Sequence, residues 1–148
     1  MITAATGFLI AVLWFDLMFD VQVWRHRRSP EVPEAVLDSI AAYYRRVTTE
    51  ASPMGRLVGL TMVVLLAALV VQAIWGDEPL WVSVVSIPAA LLGIGLAAAR
   101  IFRDARRLGT QRDPPRVQSE LARGIFAAHL VCLAAMVTVL VVQLAGTT

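Results

Sequence analysis

Four long apolar runs divide the chain, at roughly residues 2–24, 57–75, 80–99 and 125–144. Each approaches the ~20 residues that a helix needs to cross a bilayer core. Only helices suit such runs in lipid, because every backbone polar group must be satisfied within its own segment. Four runs of this length in 148 residues leave almost no chain to cover them in water. The pattern therefore predicts an all-α, polytopic membrane protein. Its four transmembrane helices form an antiparallel bundle, and 1–148 is a single integral membrane domain with connections at 25–56 and 100–124. Between spans two and three only Gly76-Asp77-Glu78-Pro79 intervenes, which forces a transmembrane hairpin.

Helical spacing returns inside the first connection. Val36, Leu37, Ile40, Tyr44 and Val47 recur on one face from Pro33 to Thr49, with Glu34, Asp38, Arg45 and Arg46 at polar positions. Pro30 and Pro33 precede this amphipathic helix and Ser52-Pro53 closes it. In the second connection, residues 103–107 extend span three, Gly109 ends that helix, and Asp113-Pro114-Pro115 makes a stiff turn before span four. Gly55 and Gly59 form a GxxxG at the start of span two, and Ala89, Gly93 and Ala97 continue that spacing in span three. Small residues of this kind let helices approach closely in lipid. Pro88 is expected to bend span three.

Charge supplies the orientation. All 13 basic residues other than the two histidines are arginine, and they fall in the two long connections or at the span ends beside them. Neither terminus and not the short turn carries one. Positive residues stay cytoplasmic, so both termini are expected outside, with the amphipathic helix between spans one and two in the cytoplasm. The first run precedes its arginines, the reverse of a cleavable signal peptide, and reads as a signal anchor. The absence of Lys and Asn fits a GC-rich bacterial genome, which points to a multi-pass protein of the bacterial cytoplasmic (inner) membrane. The composition is 58% hydrophobic and 16% charged, which excludes a soluble enzyme or a disordered chain. A single cysteine, Cys132, excludes an intrachain disulfide. Tyr43, Tyr44, Arg45, Arg46, Arg103, Arg106 and Arg107 suit contacts with anionic lipid headgroups or phosphates. Without a folded basic domain, nucleic acid is not a partner.

The chemistry concentrates in span one, where Asp16 and Asp20 lie one helical turn apart on one face. Counted inward from Arg25 at the helical rise, Asp20 is about 7 Å deep and Asp16 about 13 Å. His129 reaches the same level from Arg123 in span four. Acids at this depth are costly and need a partner or a wet cavity. One expectation is an ion- or proton-binding group of Asp16, Asp20 and His129. The other is a structural lock, with the acids paired to Arg56, Arg100 or Arg123. Cys132 and Met136 continue the stripe from His129 as packing residues. No cofactor is implied and a metal is left unassigned. The intramembrane acids favour a small bacterial transporter or channel-like protein, more a non-enzyme than an enzyme. The alternative is a non-catalytic membrane subunit or lipid-binding protein, and a third reading is a small lipid-modifying enzyme. The small-residue stripes add a homo-oligomer or a larger membrane complex.

Overall fold

A computed structural model of the chain describes residues 1–50 and 52–146. It is helical throughout, with no strand among the described residues. Among the described residues six α-helices follow in order: α1 (Ile2–Asp20), α2 (Glu34–Arg45), α3 (Ser52–Trp75), α4 (Leu80–Leu96), α5 (Phe102–Gly109) and α6 (Pro115–Gly146). A tight 3-10 turn prolongs α1 over Val21–His26, and a wide π turn over Ala97–Ile101 carries α4 into α5. The stretches Ile2–His26, Pro53–Trp75, Leu80–Gly109 and Pro115–Gly146 are each long and apolar enough to cross a membrane. The protein is thus a polytopic helical membrane protein with four candidate spans.

α6 is the axis of the bundle. Its buried positions Ala122, Ile125, Ala128, His129, Cys132, Ala135, Met136 and Val139 recur at helical three- and four-residue spacing. Half of them are Ala or Cys, so α1 and α4 can both lie close against it. α3 closes the ring between α1 and α4 by a looser contact. Burial follows this order, from 44% of the most apolar window of the fourth span to 22% in the second and 17% in the first. Trp14 and Phe15 on α1, and Leu60 and Val63 on α3, consequently point outward.

Of the two small-residue stripes, one closes a contact within the chain. A Cβ at Gly93 would lie 3.0 Å from Met136 Cε and 3.4 Å from Ala135 Cβ, so glycine here sets how near α4 comes to α6. The Cys132 thiol donates to the Gly93 carbonyl oxygen at 3.3 Å across the same contact. Gly55 and Gly59, in contrast, have nothing within 4 Å of an added Cβ. Pro88 lies inside α4 on its exposed side without ending the helix.

The first connection departs from expectation. Its amphipathic helix forms, but Leu37, Ile40, Ala41 and Tyr44 are buried in a core with Ala105 and Leu108 of α5 and Ala122 and Ile125 of α6. The apolar face meets protein instead of headgroups. The reason lies in α6, which begins at Pro115 and not near residue 125. Proline suits a first helical position because its missing N–H is not needed there. With 32 residues, α6 is about 48 Å long at the helical rise, well beyond the ~30 Å hydrocarbon core. Its first turns therefore stand outside the membrane span as a wall on which α2 and α5 pack.

The turn after α5 locks this cap. A Cβ on Gly109 would meet the Arg45 backbone nitrogen at 3.0 Å, so glycine permits α5 to touch the end of α2. Gln111 follows with φ 51, a left-handed conformation uncommon for a side-chain-bearing residue. Its amide donates to Asp38 Oδ1 at 2.6 Å and accepts from Arg45 Nη2 at 3.0 Å, which ties the turn to α2 at two points.

Substitution should separate the two glycine stripes. Gly93→Leu should lower stability by about 1–3 kcal/mol through overpacking against Met136. Gly59→Leu should stay within about 0.5 kcal/mol of wild type. Thermal unfolding in detergent measures both.

Candidate functional site

At the end of the bundle that carries α2, three helices exchange hydrogen bonds around two carboxylates. Asp20, the last residue of α1, is 0% exposed. Its Oδ1 accepts the Tyr44 hydroxyl at 2.7 Å, and its Oδ2 lies 2.6 Å from His129 Nδ1. The second contact requires a proton between the two groups. One turn earlier, Asp16 Oδ1 accepts the Tyr43 hydroxyl at 2.6 Å, and Asp16 Oδ2 lies 3.6 Å from His129 Nε2. The imidazole therefore sits between the two acids, one ring nitrogen toward each. Phe19 stacks on the Tyr43 ring at 4.1 Å and holds α2 against α1.

The tyrosines are the residues that sequence reasoning assigned elsewhere. Tyr44 is 2% exposed and Tyr43 half-buried, and both hydroxyls are spent on carboxylates, not on headgroups. Burial, and after it the Asp16 and Asp20 charges, pushes both phenols well above their usual range. Both stay protonated donors at any physiological pH. The signal available was the position of Tyr44 on the apolar face of α2, beside Ile40 and Ala41.

The arginines considered as partners go elsewhere. Arg100 and Arg103 pair with Asp104 at 3.4 and 3.0 Å. Arg123 donates from Nη2 to the carbonyl oxygens of His26 and Ser29 at 3.0 and 2.6 Å, closing the loop after α1 onto α6. Arg56 is exposed near the start of α3. Among the described residues no arginine reaches Asp16 or Asp20. Arg107 makes a two-point pair with Asp113, Nε to Oδ2 and Nη2 to Oδ1, each 2.8 Å. This pair holds the Asp113 carboxyl below its usual range. Arg45, Arg46, Arg103 and Arg106 remain exposed on the connection side.

Two further features complete the interior. A cavity of about 390 Å³ lies between α1, α3, α4 and α6, with Asp16, Tyr43, Tyr44 and His129 at its α2 end and apolar side chains elsewhere. At the opposite end of the bundle, Gln72 and Gln143 exchange amide hydrogen bonds at 3.0 and 2.9 Å, and Gln143 also donates to Ser86 Oγ at 3.1 Å. These glutamines join α3, α4 and α6 and do not simply mark an interface with water. The described residues hold no group of three or more His, Cys, Asp or Glu placed to bind a metal ion.

The model of the SHR3 chaperone family, described as ER membrane protein SH3, matches residues 1–147, and the chain belongs to that family. No curated protein and no solved structure matches it. Membership corrects three expectations together. A bacterial origin, residence in a bacterial inner membrane and a transport function are all overturned by a chaperone family of the ER membrane. The arginine distribution could not distinguish the two membranes, since positive connections face the cytosol in both. Intramembrane acids suggested conduction, but such groups are stabilised equally well by fixed hydrogen-bonding partners.

The two tyrosines of the chain give a direct check on the site. Their raised pKa favours the folded state below the unfolded value of about 10, and that contribution is lost as pH rises toward the folded value. Tyrosinate absorbance should therefore appear only together with unfolding, well above pH 10. Tyr44→Phe should cost about 1–3 kcal/mol by leaving a buried Asp20 oxygen unpaired. Tyr43→Phe, at a half-buried site, should cost less in the same melting assay.

Proposed function

We propose that this protein is a non-catalytic chaperone of the ER membrane whose partners are other integral membrane proteins. The observation that carries this reading is the family match along residues 1–147. Two features of the bundle support it. Spans one and two are the least covered, so Trp14, Phe15, Leu60 and Val63 offer an apolar lateral surface to a neighbouring helix. Association in lipid proceeds by packing and interhelical hydrogen bonds, and the open GxxxG of Gly55 and Gly59 lets a partner backbone come close. The carboxylates, meanwhile, hold the fold: Asp16 and Asp20 bind α2 and α6 to α1 and act as a lock.

The arginine distribution supports both termini in the lumen and the α2–α5 cap in the cytosol. Exposed Arg103 and Arg106 would then meet anionic headgroups at the cytosolic surface. Self-association through the same open stripe would compete with client binding.

A photoreactive residue at Val63 should crosslink newly made polytopic membrane proteins, and the adducts should decline as those proteins mature. The same group at the fully buried Leu65 should give none. Adducts with lipid alone at Val63, together with normal maturation of multi-pass proteins in cells lacking the chain, would contradict the chaperone role.

A further inference from the structure

We propose that the cavity between α1, α3, α4 and α6 is a binding site for a single-chain aliphatic amine, with the ammonium at Asp16 and the chain directed toward Met136. This does not rest on the chaperone reading. The cavity is amphipathic along its length. Asp16, Tyr43, Tyr44 and His129 bring its polar groups, and Leu9, Leu13, Val58, Met62, Ile94 and Met136 are among its apolar lining. Leu9 lies about 10 Å deeper than Asp16 along α1 at the helical rise. Its volume, about 390 Å³, is near the lower end of the ~300–1,000 Å³ typical of ligand pockets. That size suits one alkyl chain better than a two-chain lipid. Met62 and Met136, flexible and polarisable, can adapt to a chain of variable path.

Charge selects the headgroup. Two carboxylates share one imidazole, and no arginine among the described residues reaches either acid. With both acids ionised, even a protonated His129 would leave one negative charge without a protein cation. Asp20 is sealed, with both oxygens engaged at 2.7 and 2.6 Å. Asp16 lines the cavity, and its Oδ2 has His129 Nε2 at 3.6 Å, too far for a hydrogen bond. Asp16 therefore keeps acceptor capacity on the cavity side. An ammonium supplies both the missing charge and the donor, whereas phosphate or carboxylate heads would be repelled. An uncharged alcohol would gain the apolar contacts without the ion pair.

The test uses the purified full-length chain in nonionic detergent, with tetradecylamine and tetradecanol as probes. Native mass spectrometry counts bound molecules and thermal shift follows saturation. The amine should saturate at one per chain and bind at least about tenfold more tightly than the alcohol, the value expected of one charge-assisted hydrogen bond. Asp16→Asn should remove that preference. Val58→Phe, which fills the cavity from α3 without touching a polar group, should abolish binding of both probes and decides the matter should Asp16→Asn fail to fold. Equal binding of amine and alcohol to wild type, or amine binding unchanged in Val58→Phe, would overturn the proposal.

Discussion

A carboxylate carried into the thickness of a membrane must find hydrogen-bond donors there, and Asp20 finds them on two other helices. Removing such a group from water costs several kcal/mol unless its oxygens are satisfied. Tyr44 supplies one donor and His129 the other contact. Tyr44 can reach Asp20 only when α2 lies across the end of α1, and α2 can lie there only when its apolar face has something to cover. The early turns of α6 and Ala105 and Leu108 of α5 provide that cover. The cap, the extension of α6 beyond the bilayer and the glycine contact at Gly109 thus follow from one buried acid.

Polar groups at the two ends of the bundle work alike. The Asp20 cluster joins α1, α2 and α6, and the Gln72–Gln143–Ser86 group joins α3, α4 and α6. In both, the polar side chains are occupied by partners within the chain. α6 belongs to both groups and carries the densest packing. α1 and α3 contribute least and expose the widest apolar faces. A stable inner seam with two open flanks is consistent with a protein that associates laterally with other membrane helices.

Much of this architecture was legible from the residues. Run length gave the spans, the four-residue Gly76–Pro79 turn gave the hairpin, and Gly109 and Pro115 stand at the helix ends where their backbone preferences belong. The convergence of Asp16, Asp20 and His129 also followed, because depth along a helix is simple counting. Lateral direction was not legible. Tyr44 shares the apolar face of α2 with Ile40 and Ala41, but such a face is satisfied equally by lipid or by protein, so its spacing does not say which way α2 turns. The arginines near the acids in depth lie at different angles around the bundle, and Arg100 and Arg123 found local partners first. Membrane identity was illegible for a related reason. Hydrophobic length and positive connections obey the same physics in a bacterial membrane and in the ER.

The most direct measurement is a double-mutant cycle on Asp20 and His129, followed by thermal unfolding in detergent. If the pair locks α1 to α6, Asp20→Leu and His129→Leu should each be strongly destabilising, by about 3–5 kcal/mol, because each strands a buried polar partner. The double variant strands only the Tyr44 hydroxyl, and its loss should be clearly smaller than the sum of the two single losses. Losses that simply add in the double variant would contradict a bundle organised around this contact.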